Sequence, residues 1–117
     1  MSENKKYAIL LYGTGEGIAA LPEAERAAHM KQWEAWIGKL SADGVYGGGD
    51  PLDPVAKTIG GKAAKVRDGF FVPNKEHAIG GYIFVEAPSL DAAVEIAKGC
   101  PTFELDGNVE VREVMPM

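Results

Sequence analysis

The sequence contains one cysteine, Cys100, and so has no internal disulfide. Nothing in it calls for an oxidising compartment, and a cytoplasmic protein is the expectation. It has no run of lysines or arginines. Twelve basic residues against 17 acidic ones give a formal net charge of -5, the wrong sign for a phosphate-backbone partner, so nucleic acid is not expected. It has no apolar stretch of ~20 residues, the length a membrane-spanning helix needs, so no membrane association is expected. Tyr7 to Tyr12 follows Lys5-Lys6 in the order of a secretory signal, but it has about half the usual apolar length and lacks a small-residue cleavage site. Only two histidines occur, His29 and His77, and no histidine, cysteine and carboxylate spacing suits a metal. In the stretch GTGEG, Ile18 stands where a dinucleotide fingerprint needs its third glycine, and Glu16 stands where the anion would sit. Gly47-Gly48-Gly49 is not followed by the Lys-Ser or Lys-Thr of a phosphate loop. No cofactor and no metal are expected.

At 117 residues and 46% hydrophobic composition, the chain is long enough to close one core and too short for two, which makes residues 1–117 a single domain. Tyr7 to Tyr12 reads as a strand with apolar residues on both faces. Pro22 at a first helical position, with Glu23 and Glu25 behind it, starts a helix that runs to Leu40. Its apolar face is Met30, Trp33, Ile37 and Leu40, flanked by His29 and Trp36. Asp43-Gly44 turns the chain into a short strand at Val45-Tyr46. The three glycines that follow mark a bulge or a close backbone approach. A short edge hairpin is expected around Val55 to Ile59, turning at Gly60-Gly61, and another turn at Asp68-Gly69 opens a loop that reaches Ile79.

Gly80 to Ala87 is a second strand with two apolar faces, Tyr82 and Phe84 against Ile83 and Val85. Ser89 caps a second helix whose stripe is Leu90, Ala93, Val94 and Ala97. Gly99 as a left-handed cap and Pro101 beyond it make the stop. Asp106-Gly107-Asn108 turns into a last strand, Val109 to Val114. The order is βαββαβ, an α+β, ferredoxin-like arrangement with both helices on one face of an antiparallel sheet. The apolar side chains on the other face predict a second copy as its cover, giving a homodimer built as a dimeric α/β barrel.

These stretches resemble the YCII-related family, also known for its DGPF motif. The resemblance lies in AILLYG, HMKQWEAWIGKLSADGV, DGFFVPNKE, IGGYIFVEAPSLDAAVEIAKGCP and GNVEVREVM. It implies a ferredoxin-like subunit that pairs into a dimeric barrel. The motif is altered: Asp68-Gly69-Phe70-Phe71 stands for D-G-P-F, and Pro73 replaces a Glu. The resemblance also implies a His on the first helix, matched by His29, acting with an Asp after the second helix, where Cys100 stands instead.

The candidate catalytic residues are His29, as a proton acceptor, and Asp68. The plainer readings are a histidine packed against Trp33 and an aspartate that holds its own turn by accepting backbone N–H bonds. Candidate ligand contacts are Trp33, Lys75, Glu76, His77 and Tyr82, against readings as core aromatics and solvated loop charges. Cys100, behind a helix C-terminus, reads as a packing residue. Two functions follow. One is the binding of a small organic molecule in a cleft between the first helix and the sheet, with His-based acid–base chemistry. The other is a non-catalytic dimerisation or regulatory module whose loop 68–79 contacts another protein.

Overall fold

Alternation in the first strand sets the layers of the protein. In β1 (Lys5–Tyr12), Tyr7 and Ile9 are fully buried while Ala8 and Leu10 are half-buried. The computed structural model describes residues 4–13, 20–74 and 77–117, so Gly15, Gly17, Lys75 and Glu76 lie outside it. β1 is flanked by β5 (Ile79–Ala87) and β6 (Asn108–Glu113) and is antiparallel to both. With β2 (Tyr46–Pro51) outside β5, the sheet order is β2-β5-β1-β6. This is the expected ferredoxin-like βαββαβ path.

Both helices cover one face. The first, α1 (Glu23–Ala42), runs two residues beyond the expected end and stops at Asp43 and Gly44, whose φ of 74° suits glycine. Pro22 is its N-cap and not its first helical residue. Its buried side is also turned from the expected one. His29, Trp36 and Leu40 are buried, with Trp33 and Ile37 half-buried, whereas Met30 is 46% exposed. The stripe therefore follows 29, 33, 36 and 40, the 4-3-4 spacing of one helix face.

The second helix, α2 (Leu90–Ala97), begins as expected, with Ser89 Oγ accepting from Ala92 N at 3.1 Å. It buries Ala93 and Ala97, while Leu90 and Val94 stay substantially exposed. Gly99 is not the left-handed cap the sequence suggested. The C-cap is Lys98 in a right-handed conformation, and Gly99 has no positive φ. What requires glycine here is space, because a Cβ at this position would lie 2.9 Å from Trp36 Nε1. Pro101, expected only to stop α2, starts a 3-10 helix (Pro101–Leu105) that ends at Asp106, φ 60°.

Tyr7, Ile9, Ile83, Val85 and Ala87 from the sheet meet Trp36, Leu40, Ala93, Ala97 and Cys100 in one core. The glycines of β2 mark a register shift between Tyr46 and Gly49, as expected. There β2 runs so close to β5 that a Cβ on Gly49 would strike the Tyr82 carbonyl and lie 2.9 Å from Ile83 Cα. β3 (Lys57–Gly60) and β4 (Lys65–Asp68) form a separate exposed hairpin, turning through Gly61 at φ 76°. No helix among the described residues is long and apolar enough to cross a membrane.

Two glycine substitutions separate these roles in urea unfolding. Gly49→Ala, forced into the β5 backbone, is expected to lose about 2 kcal/mol or more. Gly38→Ala, on an open surface of α1 with nothing within 4 Å of the new methyl, is expected to gain ~0.5–1 kcal/mol.

Candidate functional site

His29 lies in the seam between α1 and the 3-10 helix and is 3% exposed. Trp33, one turn along α1, donates its indole N–H to His29 Nε2 at 3.0 Å. An indole nitrogen can only donate, so Nε2 is an acceptor and the proton of the neutral imidazole is on Nδ1. Nδ1 faces Glu104 Oε2 at 4.0 Å, and that carboxylate side chain is 58% exposed. Behind Trp33 stands Trp36, ring edge to ring face at 5.7 Å between centroids. Glu104, His29, Trp33 and Trp36 thus form a continuous line from solvent into the core.

This line bears on both readings of His29. The lone pair that a general base would use is occupied by Trp33, and the indole fills the space beside the ring. A proton acceptor at Nε2 would require the indole to swing away. The Nδ1 side opens toward Glu104, and a carboxylate near an imidazole N–H is the arrangement that holds a ring in one tautomer. Glu104 was not among the residues singled out in the sequence. The signal for it was Pro101, which begins a tight turn and brings the residue three positions later back toward α1.

The other candidates fall elsewhere. Asp68 ends the exposed hairpin and pairs with Lys57 Nζ at 2.6 Å, rather than holding its own turn. Gly69, at φ 97°, donates its backbone N–H to the Ala56 carbonyl across the hairpin at 2.8 Å. His77 is exposed, its backbone N–H bonded to the Asn74 carbonyl. Tyr82 does not share a cleft with His29. β5 sends Ile83 and Val85 to the helices, so Tyr82 and Phe84 project from the opposite face of the sheet. There the Tyr82 hydroxyl donates to Asp50 Oδ2 at 2.8 Å. The hydrogen bond and charge of Asp50, with a smaller effect of burial, raise the hydroxyl above the ordinary tyrosine range. A cleft that unites His29, Trp33, Asp68 and Tyr82 within one chain is therefore not formed.

An open apolar groove of ≈ 220 Å³ lies between α2, the 3-10 helix and β6, lined chiefly by Leu90, Val94, Phe103, Val109 and Val111. Cys100 is buried, and burial pushes its thiol up to about 11, partly opposed by a backbone hydrogen bond at Thr102. A thiol protonated at neutral pH is a poor nucleophile, so the packing reading stands on this physical ground.

Cys100 supplies a pH prediction. The unfolded chain's thiol ionises near its ordinary value of 9.0 and the folded one near 11, so unfolding releases a proton between them. Stability from this group is full below about pH 9 and declines as pH rises toward 11. The melting temperature of the wild type should thus fall more steeply across this window than that of Cys100→Ala. Below pH 8 the native thiol should react with a disulfide reagent far more slowly than the urea-unfolded chain.

No curated protein matches the chain. A family model does match the chain. The description of that model is "YCII-related domain" and it matches residues 5–117; the chain belongs to the YCII-related family.

Proposed function

We propose that this domain works as a cytoplasmic homodimer, two copies joined through the faces of their sheets that carry no helix, and that this self-association is its primary biochemical property. The observation that carries the reading is the make-up of that face. Ala8, Leu10, Tyr12, Tyr82 and Phe84 form a contiguous, half-buried and mainly apolar surface across β1 and β5. An apolar sheet face of this kind marks an interaction surface, and an isologous pairing covers both copies at once. The packing of Trp33 against His29 Nε2 supports a non-catalytic module over an open acid–base cleft.

Sedimentation velocity at micromolar concentration tests it. The wild type should run as a dimer. Leu10→Glu, at the centre of the face and away from the core, should run as a monomer with native circular dichroism. A monodisperse wild-type monomer would sink the reading.

A second reading is favoured by one observation, the solvent-linked pair of Glu104 and His29. In it a small organic acid or aromatic compound enters the seam beside α1, displaces the Trp33 indole, and meets the imidazole as proton acceptor. A thermal-shift screen with such compounds tests this reading. A ligand at a hundred times its dissociation constant adds about 2.7 kcal/mol to the native state. The shift should disappear in His29→Ala, and an unchanged shift in that variant would count against the seam as the site.

A further inference from the structure

The four-stranded sheet ends in two unlike edges. At one, β2 is interrupted: its register on β5 shifts between Tyr46 and Gly49, and it closes on Pro51, whose nitrogen has no proton to give. At the other, β6 pairs with β1 without a break from Asn108 to Glu113, holds no proline, and has no second neighbour among the described residues. Val114 N–H donates to the Lys6 carbonyl at 2.8 Å, which turns the even-numbered residues of β6 toward β1. The backbone N–H and C=O groups of Val109, Val111 and Glu113 therefore point out of the sheet, an open row for hydrogen bonds.

Two of the same residues line a recess. The side chains of Val109 and Val111 turn to the helix side and meet Leu90 and Val94 of α2 and Phe103 of the 3-10 helix in the open groove of ≈ 220 Å³. Leu90, Val94 and Phe103 are substantially exposed there. The groove is smaller than the about 300 Å³ or more that encloses a small organic ligand. An extended backbone, by contrast, can take the hydrogen bonds of the β6 edge and fill the groove with its side chains at once.

Charge narrows the choice of segment. From Ser89 to Glu113, the stretch that builds the groove and the edge, six carboxylates stand against Lys98 and Arg112. Lys98 is already paired with Glu95 at 2.8 Å. The first turn of α2, with Asp91, lies at the end of the sheet where Ala87 is opposite Lys5. Glu113 is at that end too, 3.5 Å from Lys5 in an exposed pair, and shares the groove side of β6 with Val109 and Val111. Asp91 makes no ion pair among the described residues.

We infer that β6 receives an extended segment of a partner protein, added antiparallel as a fifth strand, with apolar side chains opposite Val111 and Val109 and a lysine or arginine opposite Glu113. Residues opposite one another across a strand pair share a face, so both apolar side chains enter the groove. The basic side chain meets Glu113 at the Asp91 end of α2. Residues between these face the other way and are free in identity. Backbone hydrogen bonds give the affinity, and the groove and its acidic end give the selectivity. The site uses the outer edge and the helix side of the sheet, so it holds whether or not the helix-free face pairs with a second copy.

Fluorescence anisotropy with a labelled peptide tests it. The probe reads lysine, threonine, valine, threonine, valine, between flexible glycine-serine ends, and should bind saturably with a dissociation constant below about 100 µM. Methylating the backbone nitrogens of the valines, whose N–H groups face β6, should weaken binding about tenfold or more. Methylating those of the threonines, which face away, should leave it within about threefold. Val94→Gln, in the groove and exposed, should weaken binding about fivefold with native circular dichroism, and Leu90→Gln serves if that variant does not fold. Replacing the probe's lysine with glutamate should cost about fivefold at low salt, a preference that Asp91→Asn with Glu113→Gln removes. No saturable binding up to about 1 mM would overturn the inference, as would equal losses from valine and threonine methylation, or a preference for lysine that the double variant keeps. So would an assembly of the chain with itself that Val94→Gln breaks and the probe does not displace, since the occupant is then a second copy.

Discussion

The pairing of β1 with β5 is the constraint on which the rest of the molecule depends. The two strands run antiparallel from Lys5 opposite Ala87 to Leu11 opposite Gly81, and they lie at the centre of the sheet. Since side chains alternate, this register commits Tyr7, Ile9, Ile83 and Val85 to the helices, and Ala8, Leu10, Tyr82 and Phe84 to the other side. A slip of one residue would put the tyrosine and phenylalanine of β5 under α2 and expel Ile83 and Val85. Ala93 and Ala97 of α2 pack in the same core as Tyr7, Ile9, Ile83 and Val85. Helix packing and strand register thus enforce one another.

That division explains what could and could not be read in advance. The two central strands were legible because each holds an apolar run beside glycine, Tyr7 to Tyr12 before Gly13 and Tyr82 to Val85 after Gly81. The first-helix stripe was legible to within one position. Periodicity alone does not say that Met30 is exposed and His29 buried, since both lie on an edge of the apolar arc, and the choice is made by Glu104 and the 3-10 helix from seventy-odd positions away in sequence. Gly99 was legible as a glycine requirement but not for its cause. A glycine after a helix suggests backbone strain, whereas here a distant tryptophan claims the volume of the missing side chain.

The candidate site was harder to read than the fold, because it is made by non-local placement. His29 and Trp33 are neighbours on one helix, and their contact follows from the i, i+4 spacing. Tyr82 looked like their companion because aromatic residues suit a pocket, but strand parity placed it on the far side of the sheet. The motif stretch at Asp68 lies in an exposed hairpin, and its carboxylate is spent on Lys57. The carboxylate that does face the imidazole, Glu104, comes after the second helix, where the family resemblance led one to look for an acid, but four residues beyond Cys100.

The two tryptophans of the chain, Trp33 and Trp36, stand together at one corner with their rings crossed at 76°. The molecule therefore carries its own optical gauge of that corner. Near-ultraviolet dichroism and indole emission will be dominated by this single coupled pair, in contact with His29 on one side and with Gly99 on the other. Light absorbed there registers the seam between α1 and the 3-10 helix directly. The tyrosines of the opposite sheet face contribute a separate signal, so the two surfaces of this small domain can be followed independently in one cuvette.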